Sequence, residues 1–166
     1  KYIKHRERGE AEKIIEDFMI EANEAVAEKI FWLEFPSIYR THEPPDMGRV
    51  KQLNEFIAKF GYRIHGVDEL YPGKFQKIIE DAKTKEYGMV VNKMILMSLK
   101  QARYTVDNTG HFGLASSCYT HFTSPIRRYA DLLVHRSLWE IIRGEPSKKR
   151  VDKIRENVSR ASTHIS

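Results

Sequence analysis

The chain has 166 residues, 41% apolar and 11% aromatic, enough for one domain with a real core. Charged residues stand at 31%, inside the globular range, which excludes wholesale disorder. The net charge of +5 and a pI near 9.2 point toward an anionic partner without proving one. No run reaches the roughly 18 apolar residues of a membrane span; the best candidate, Met89 to Leu99, is broken by Asn92 and Lys93. A single cysteine, Cys118, excludes a disulfide framework and any Cys-based zinc site. With no apolar leader after Lys1-Tyr2-Ile3-Lys4, the expectation is a cytoplasmic protein without a membrane partner. The chain opens without Met and closes inside a helical pattern, so a piece of a longer protein is expected.

In chain order, periodicity first predicts a helix over about Ala11 to Phe31. At 100° per residue, Ala11, Ile14, Ile15, Phe18, Ala22, Ala25 and Val26 form one broad apolar face. Lys13, Asp17, Glu21, Glu24 and Glu28 form the solvent stripe. Met19, Ile20, Ala27 and Ile30 extend the apolar arc, and Glu16 and Asn23 lie in that extension. A carboxylate there needs a partner, either a core arginine or a substrate hydroxyl that donates to it. Pro36, Pro44 and Pro45 mark a loop over about 34–45. Asp46 can cap a helix running to about Phe60, which Gly61 ends. Pro72 starts a helix to about Lys83, and Tyr87 to about Arg103 reads helical.

The period then changes. Tyr104 and Val106 alternate, Asp107-Asn108-Thr109-Gly110 supplies a turn, and Phe112 and Leu114 alternate again, which predicts a small hairpin. Ser124-Pro125 opens a helix to about Ile142. After a linker at Gly144-Glu145-Pro146-Ser147 comes a basic final helix. From Arg143 to Arg160 there are seven Lys/Arg against three Asp/Glu. The fold class is α+β and helix-rich, with a small antiparallel hairpin and several helices.

The segment Thr123-Ser124-Pro125-Ile126-Arg127-Arg128 concentrates the chemistry. With Ser124 as N-cap, both arginines fall in the first turn, where the helix dipole disfavours cations. A bound anion removes the conflict, since free N–H groups and a guanidinium fork make a phosphate receptor. Pairing of both arginines with carboxylates removes it equally well. Arg127, Asp131 and His135 stack at i, i+4 and i+8, so Asp131 is expected to orient Arg127. Asp131 and His135 also have the i, i+4 spacing that half a metal site could use, but no further ligands converge in sequence. His111, Phe112, Tyr119, His121 and Phe122 interleave aromatic and basic character, which suits base stacking or a half-buried core; Phe112 and Phe122 are assigned to the core. Cys118 reads as a buried thiol.

The run from Gly110-His111-Phe112-Gly113 through Tyr119-Thr120-His121-Phe122-Thr123-Ser124-Pro125-Ile126-Arg127-Arg128-Tyr129-Ala130-Asp131 to His135-Arg136 resembles the signature of the ribonuclease II/ribonuclease R exoribonucleases. Upstream, Ile15-Glu16-Asp17-Phe18 with Ala22-Asn23 is similar to a family helix. Tyr39-Arg40-Thr41-His42-Glu43-Pro44 with Gln101-Ala102-Arg103-Tyr104 resembles the ribonuclease R branch. The resemblance implies that residues 1–166 are the C-terminal portion of an RNB catalytic domain, truncated at both ends. It implies processive 3′-to-5′ hydrolysis of single-stranded RNA to nucleoside 5′-monophosphates, with magnesium in the intact enzyme. Arg127 matches the catalytic arginine, and Glu16 matches the glutamate on ribose hydroxyls. Arg128, Ser124 and Tyr119 fall at RNA-binding positions, with Asp131 behind them. The family's metal-binding aspartate cluster, D-P-x-x-A-x-D-x-D-D-A, does not occur in these residues. The fragment is therefore expected to bind no metal and to be inactive alone. The alternative is a non-catalytic, basic RNA-binding module on the same scaffold.

Overall fold

The computed structural model describes residues 9–66, 69–144 and 146–165. Among them are α1 (Glu10–Trp32), β1 (Tyr39–Thr41), α2 (Met47–Ile57), α3 (Pro72–Ala82), α4 (Gly88–Ser98), β2 (Arg103–Thr105), α5 (Tyr129–Arg143) and α6 (Lys148–Ile165). The two short strands pair antiparallel. The chain divides into two compact units. Of the described residues, one gathers those within 9–39, 104–107 and 118–165; the other gathers those within 40–103 and 108–117.

In the second unit, α2 buries Val50, Leu53 and Ile57, at the helical spacing its sequence shows. A 3-10 turn, Ala58–Phe60, tightens its end, and Gly61 takes the left-handed conformation (φ 82°) that stops it. Asp46 sits at the N-cap position, but its side chain makes no cap; it bonds Lys100 instead (3.1 Å). Phe75, Ile78 and Ala82 of α3 and Val91 and Ile95 of α4 complete this core. The helical reading through Arg103 overshoots, because α4 stops at Ser98. His42 explains why: its Nε2 bonds the Lys100 carbonyl (2.7 Å), while the Lys100 ammonium reaches Glu43 (2.9 Å). Both hold the following residues extended.

The hairpin is also relocated. β2 occurs where Tyr104 and Val106 alternate, but its partner is β1, some sixty residues earlier. Phe112–Leu114, the expected second arm, is a 3-10 turn. Its Gly113 N–H donates to His42 Nδ1 (3.0 Å), and Phe112 packs onto the α2–α3–α4 core.

In the first unit, α1 and α6 pack on α5. Ile30, Ile38, Leu133, Val134 and Val158 form the core, with Phe122 against it. A smaller cluster joins Ala27, Tyr39 and Cys118. Burial pushes the Cys118 thiol up to about 11, which makes it the inert thiol expected. The apolar face assigned to α1 needs correction. Ile14, Ile15 and Phe18 are 54%, 58% and 67% exposed, while the buried positions are Asn23, Ala27 and Ile30, from the extension arc. The extension arc of the C-terminal half is the side that meets the unit's core.

Candidate functional site

The site is built on the first turn of α5. Asp131 lies there, where the helix dipole favours a carboxylate, and it is fully buried. Its Oδ1 accepts the Ser124 N–H (2.7 Å) and an Arg128 Nη2–H (3.1 Å); its Oδ2 accepts Arg128 Nε–H (2.9 Å). This is a two-pronged guanidinium–carboxylate pair. The Ser124 carbonyl in turn accepts the N–H groups of Arg127 (3.3 Å) and Arg128 (3.2 Å). Residues 125–127 form a turn held at both ends.

Two expectations change here. α5 starts at Tyr129, with Arg128 as an extended N-cap residue (φ −128°, ψ 121°), not at Ser124-Pro125. Asp131 takes the Ser124 N–H into the helix's own first turn, so the preceding residues form a clamped turn instead of another helical one. Second, Asp131 pairs with Arg128, not Arg127. The i, i+4 stacking fails because Arg127 precedes the helix. The adjacent arginines therefore differ in kind: Arg128 is 24% exposed and ion-paired, whereas the exposed Arg127 guanidinium has no partner among the described residues.

Asn23 supplies the link that sequence reasoning left without a role. It is buried on α1; its Nδ2–H₂ donates to the Tyr119 hydroxyl (2.9 Å), and its Oδ1 accepts the N–H groups of Phe122 (2.9 Å) and Thr123 (3.2 Å). It thereby ties residues 119–123 to α1. The signal was present, since Asn23 shares the apolar arc on which Glu16 stood out. Burial raises the Tyr119 phenol's pKa, against the Asn23 hydrogen bond and the positive charge of Arg128. Tyr119, Ser124, Arg128 and Asp131 are thus brought together. Glu16 lies half-buried on the Asn23 face of α1, seven residues earlier, about 10 Å along the axis.

His135 is used structurally. Its Nε2–H donates to the Phe122 carbonyl (2.9 Å), and its ring stacks on Phe122 at 4.2 Å. Among the described residues no group of three or more His, Cys, Asp or Glu is placed to hold a metal. Nor is any described helix long and apolar enough to cross a membrane.

The RNB domain family matches residues 1–144. The chain belongs to the RNB domain family. Among its relatives, Ribonuclease R of Thermotoga maritima is 48% identical over 133 residues, covering 80% of this chain and 19% of that protein. Ribonuclease R 1 of Lactococcus lactis is 44% identical over 168 residues, covering 99% and 20%. The chain is thus ribonuclease R-like along nearly its whole length, and it spans about a fifth of those relatives. Among solved structures, Mycoplasma genitalium RNase R in complex with ribose methylated single-stranded RNA superposes with a TM-score of 0.86 at 27% identity, covering 95% of this chain and 25% of that one. Yeast Ssd1, described as a pseudonuclease, gives 0.77 at 26% identity, covering 95% and 20%.

Proposed function

We propose that this chain is part of a hydrolytic, processive 3′-to-5′ exoribonuclease that releases nucleoside 5′-monophosphates from single-stranded RNA. The observation that carries the reading is the division of labour between adjacent arginines. Arg128 is consumed in clamping the turn to Asp131, which presents Arg127 outward on a braced backbone. A guanidinium carried on a braced backbone, with no partner among the described residues, suits the charge that develops on a phosphate under attack. The RNA bound in the Mycoplasma RNase R complexes supports an RNA ligand.

In this reading Arg127 is the catalytic residue. Glu16 accepts a hydrogen bond from a ribose 2′-hydroxyl, a group DNA lacks. The Ser124 hydroxyl, the Tyr119 side chain and the remaining Nη of Arg128 contact the strand, and Asp131 positions Arg128. The described residues do not fit a magnesium centre, because Asp131 already accepts three protein hydrogen bonds and no ligand group converges elsewhere among them. Magnesium is assigned to the intact enzyme, held by carboxylates outside these residues, and the 166-residue chain alone should be inactive. When bound, magnesium would supply the activated water and hold the leaving oxygen.

The likeness to a pseudonuclease favours one second reading, a non-catalytic RNA-binding module. Arg127→Ala in the intact protein separates the two. Under the exoribonuclease reading it lowers turnover by about 10²–10³ and weakens RNA binding far less. Arg127→Lys rescues poorly, because a point charge does not replace the fork. Normal turnover with lost affinity would reduce Arg127 to a binding residue. An intact protein that binds RNA and releases no nucleotides would establish the module.

A further inference from the structure

Helices α5 and α6 flank a half-open cavity of about 480 Å³, within the range of small-molecule sites. Its floor is apolar, from the nearly fully buried Leu133 and Val158 with Ile154 beside them. Tyr129, half exposed, lines it at the start of α5. Its charge is unevenly matched. Glu140, the one carboxylate in the lining, accepts from Arg150 Nε (3.0 Å), which holds it below the usual carboxylate range. That pair is internally neutral. Arg136 also lines the cavity and has no ion-pair or hydrogen-bond partner among the described residues. Among the described residues Arg160 pairs with the neutral Asn157 side chain (3.2 Å) and with no carboxylate.

We propose that this cavity binds a small phosphate-bearing aromatic ligand of the nucleoside 5′-monophosphate class. Its phosphate sits on the Arg136 and Arg160 guanidinium groups, and its base lies on the Leu133–Val158 floor beside Tyr129. Two guanidinium groups in one lining, neither with a carboxylate partner among the described residues, suit a phosphate group. The cavity is far larger than an inorganic phosphate, and its floor rewards an apolar, planar group. Glu140 on the same wall opposes a continuous polyanion, which argues for a single nucleotide over a strand. The site uses none of Glu16, Tyr119, Ser124 or Arg127, so it does not rest on the exoribonuclease reading; failure of RNA hydrolysis in the intact protein leaves it standing.

Isothermal titration of the 166-residue chain at low salt tests it, with adenosine 5′-monophosphate, adenosine, inorganic phosphate and a single-stranded oligoribonucleotide as separate titrants. The expected result is saturable binding of the monophosphate, tighter than adenosine or phosphate alone. Arg136→Ala with Arg160→Ala should weaken it about tenfold or more, with an unchanged circular dichroism spectrum and melting temperature. Because both side chains are exposed, the variant should fold; if it does not, Arg136→Lys, which keeps the charge and loses the fork, should still weaken binding. Arg155→Ala, on α6 but outside the lining, should bind the monophosphate normally. Four results would overturn the proposal: no saturable binding, equal affinity for adenosine and its monophosphate, loss of binding in Arg155→Ala with retention in the double variant, or displacement by an oligoribonucleotide that binds more tightly and shows the same sensitivity to the Arg136 and Arg160 changes.

Discussion

Replacing Asp131 with alanine removes three hydrogen bonds at once: those from Ser124 N–H, Arg128 Nε and Arg128 Nη2. It strands a guanidinium that is only 24% exposed beside a fully buried position. Breaking a buried ion pair from one side costs roughly 3–5 kcal/mol. Arg128 keeps some access to water, so the low end, about 3 kcal/mol, is expected. At roughly 2–4 °C per kcal/mol for a chain of this size, the melting temperature should fall by about 6–12 °C. Urea denaturation followed by circular dichroism measures the loss directly. A double-mutant cycle with Arg128→Ala apportions it: with the charge removed as well, the second substitution should cost much less than the first, giving a coupling on the order of 1–3 kcal/mol. A loss below about 1 kcal/mol, or strict additivity of the two substitutions, would show that the clamp does not brace the turn, and the argument for a rigidly mounted Arg127 would fall with it.

Glu16→Ala in the intact protein should shrink the preference for RNA over DNA by about one to two orders of magnitude; an equal loss on both, with a lower melting temperature, would mark Glu16 as a structural ion-pair partner. Gly88→Ala should destabilise by roughly 1–3 kcal/mol, because a Cβ there would stand 2.1 Å from the Ala82 carbonyl oxygen; a urea midpoint equal to the parent's would refute this. His111 is pushed down to about 4, first by burial and then by His42, so the fold holds it neutral. Its contribution is complete above about pH 6.5, the ordinary histidine value, and declines as the pH falls toward 4. His111→Gln should flatten the dependence of urea midpoints between pH 7 and pH 5, and an unchanged slope would contradict the assignment.

What the sequence disclosed was local. The helix that Gly61 ends and the helix that Pro72 starts can each be read from a short window, and both occur. Non-local features escaped it. The alternation at Tyr104 identified a strand but not its distant partner at Tyr39–Thr41. Ser124-Pro125 is a sound helix-start signal, yet Asp131, seven residues on, captured the Ser124 N–H. The helical wheel of α1 found apolar residues correctly without knowing which arc meets a neighbour, so Ile14, Ile15 and Phe18 were placed inside and Asn23 was left without a role. Glu16 stands out in the sequence as a carboxylate on an apolar arc, whereas the helix-dipole argument that singled out Arg127 lapses, because α5 begins only at Tyr129. The clamp that distinguishes Arg127 from Arg128 depends on where α5 begins, which only three-dimensional geometry decides.

The three-segment make-up of the first unit has a consequence for biogenesis. Asn23 meets partners 96 to 100 residues downstream, whereas Arg40–Arg103 supplies most of the second unit in one uninterrupted stretch. Closing loops that long is slow, because the entropy is spent before the contacts reward it. On a ribosome adding about 5–20 residues per second, α2, α3 and α4 can assemble while α1 still waits for Tyr119 and α5 to emerge. Throughout that interval the apolar flank of α1 has no finished unit behind it.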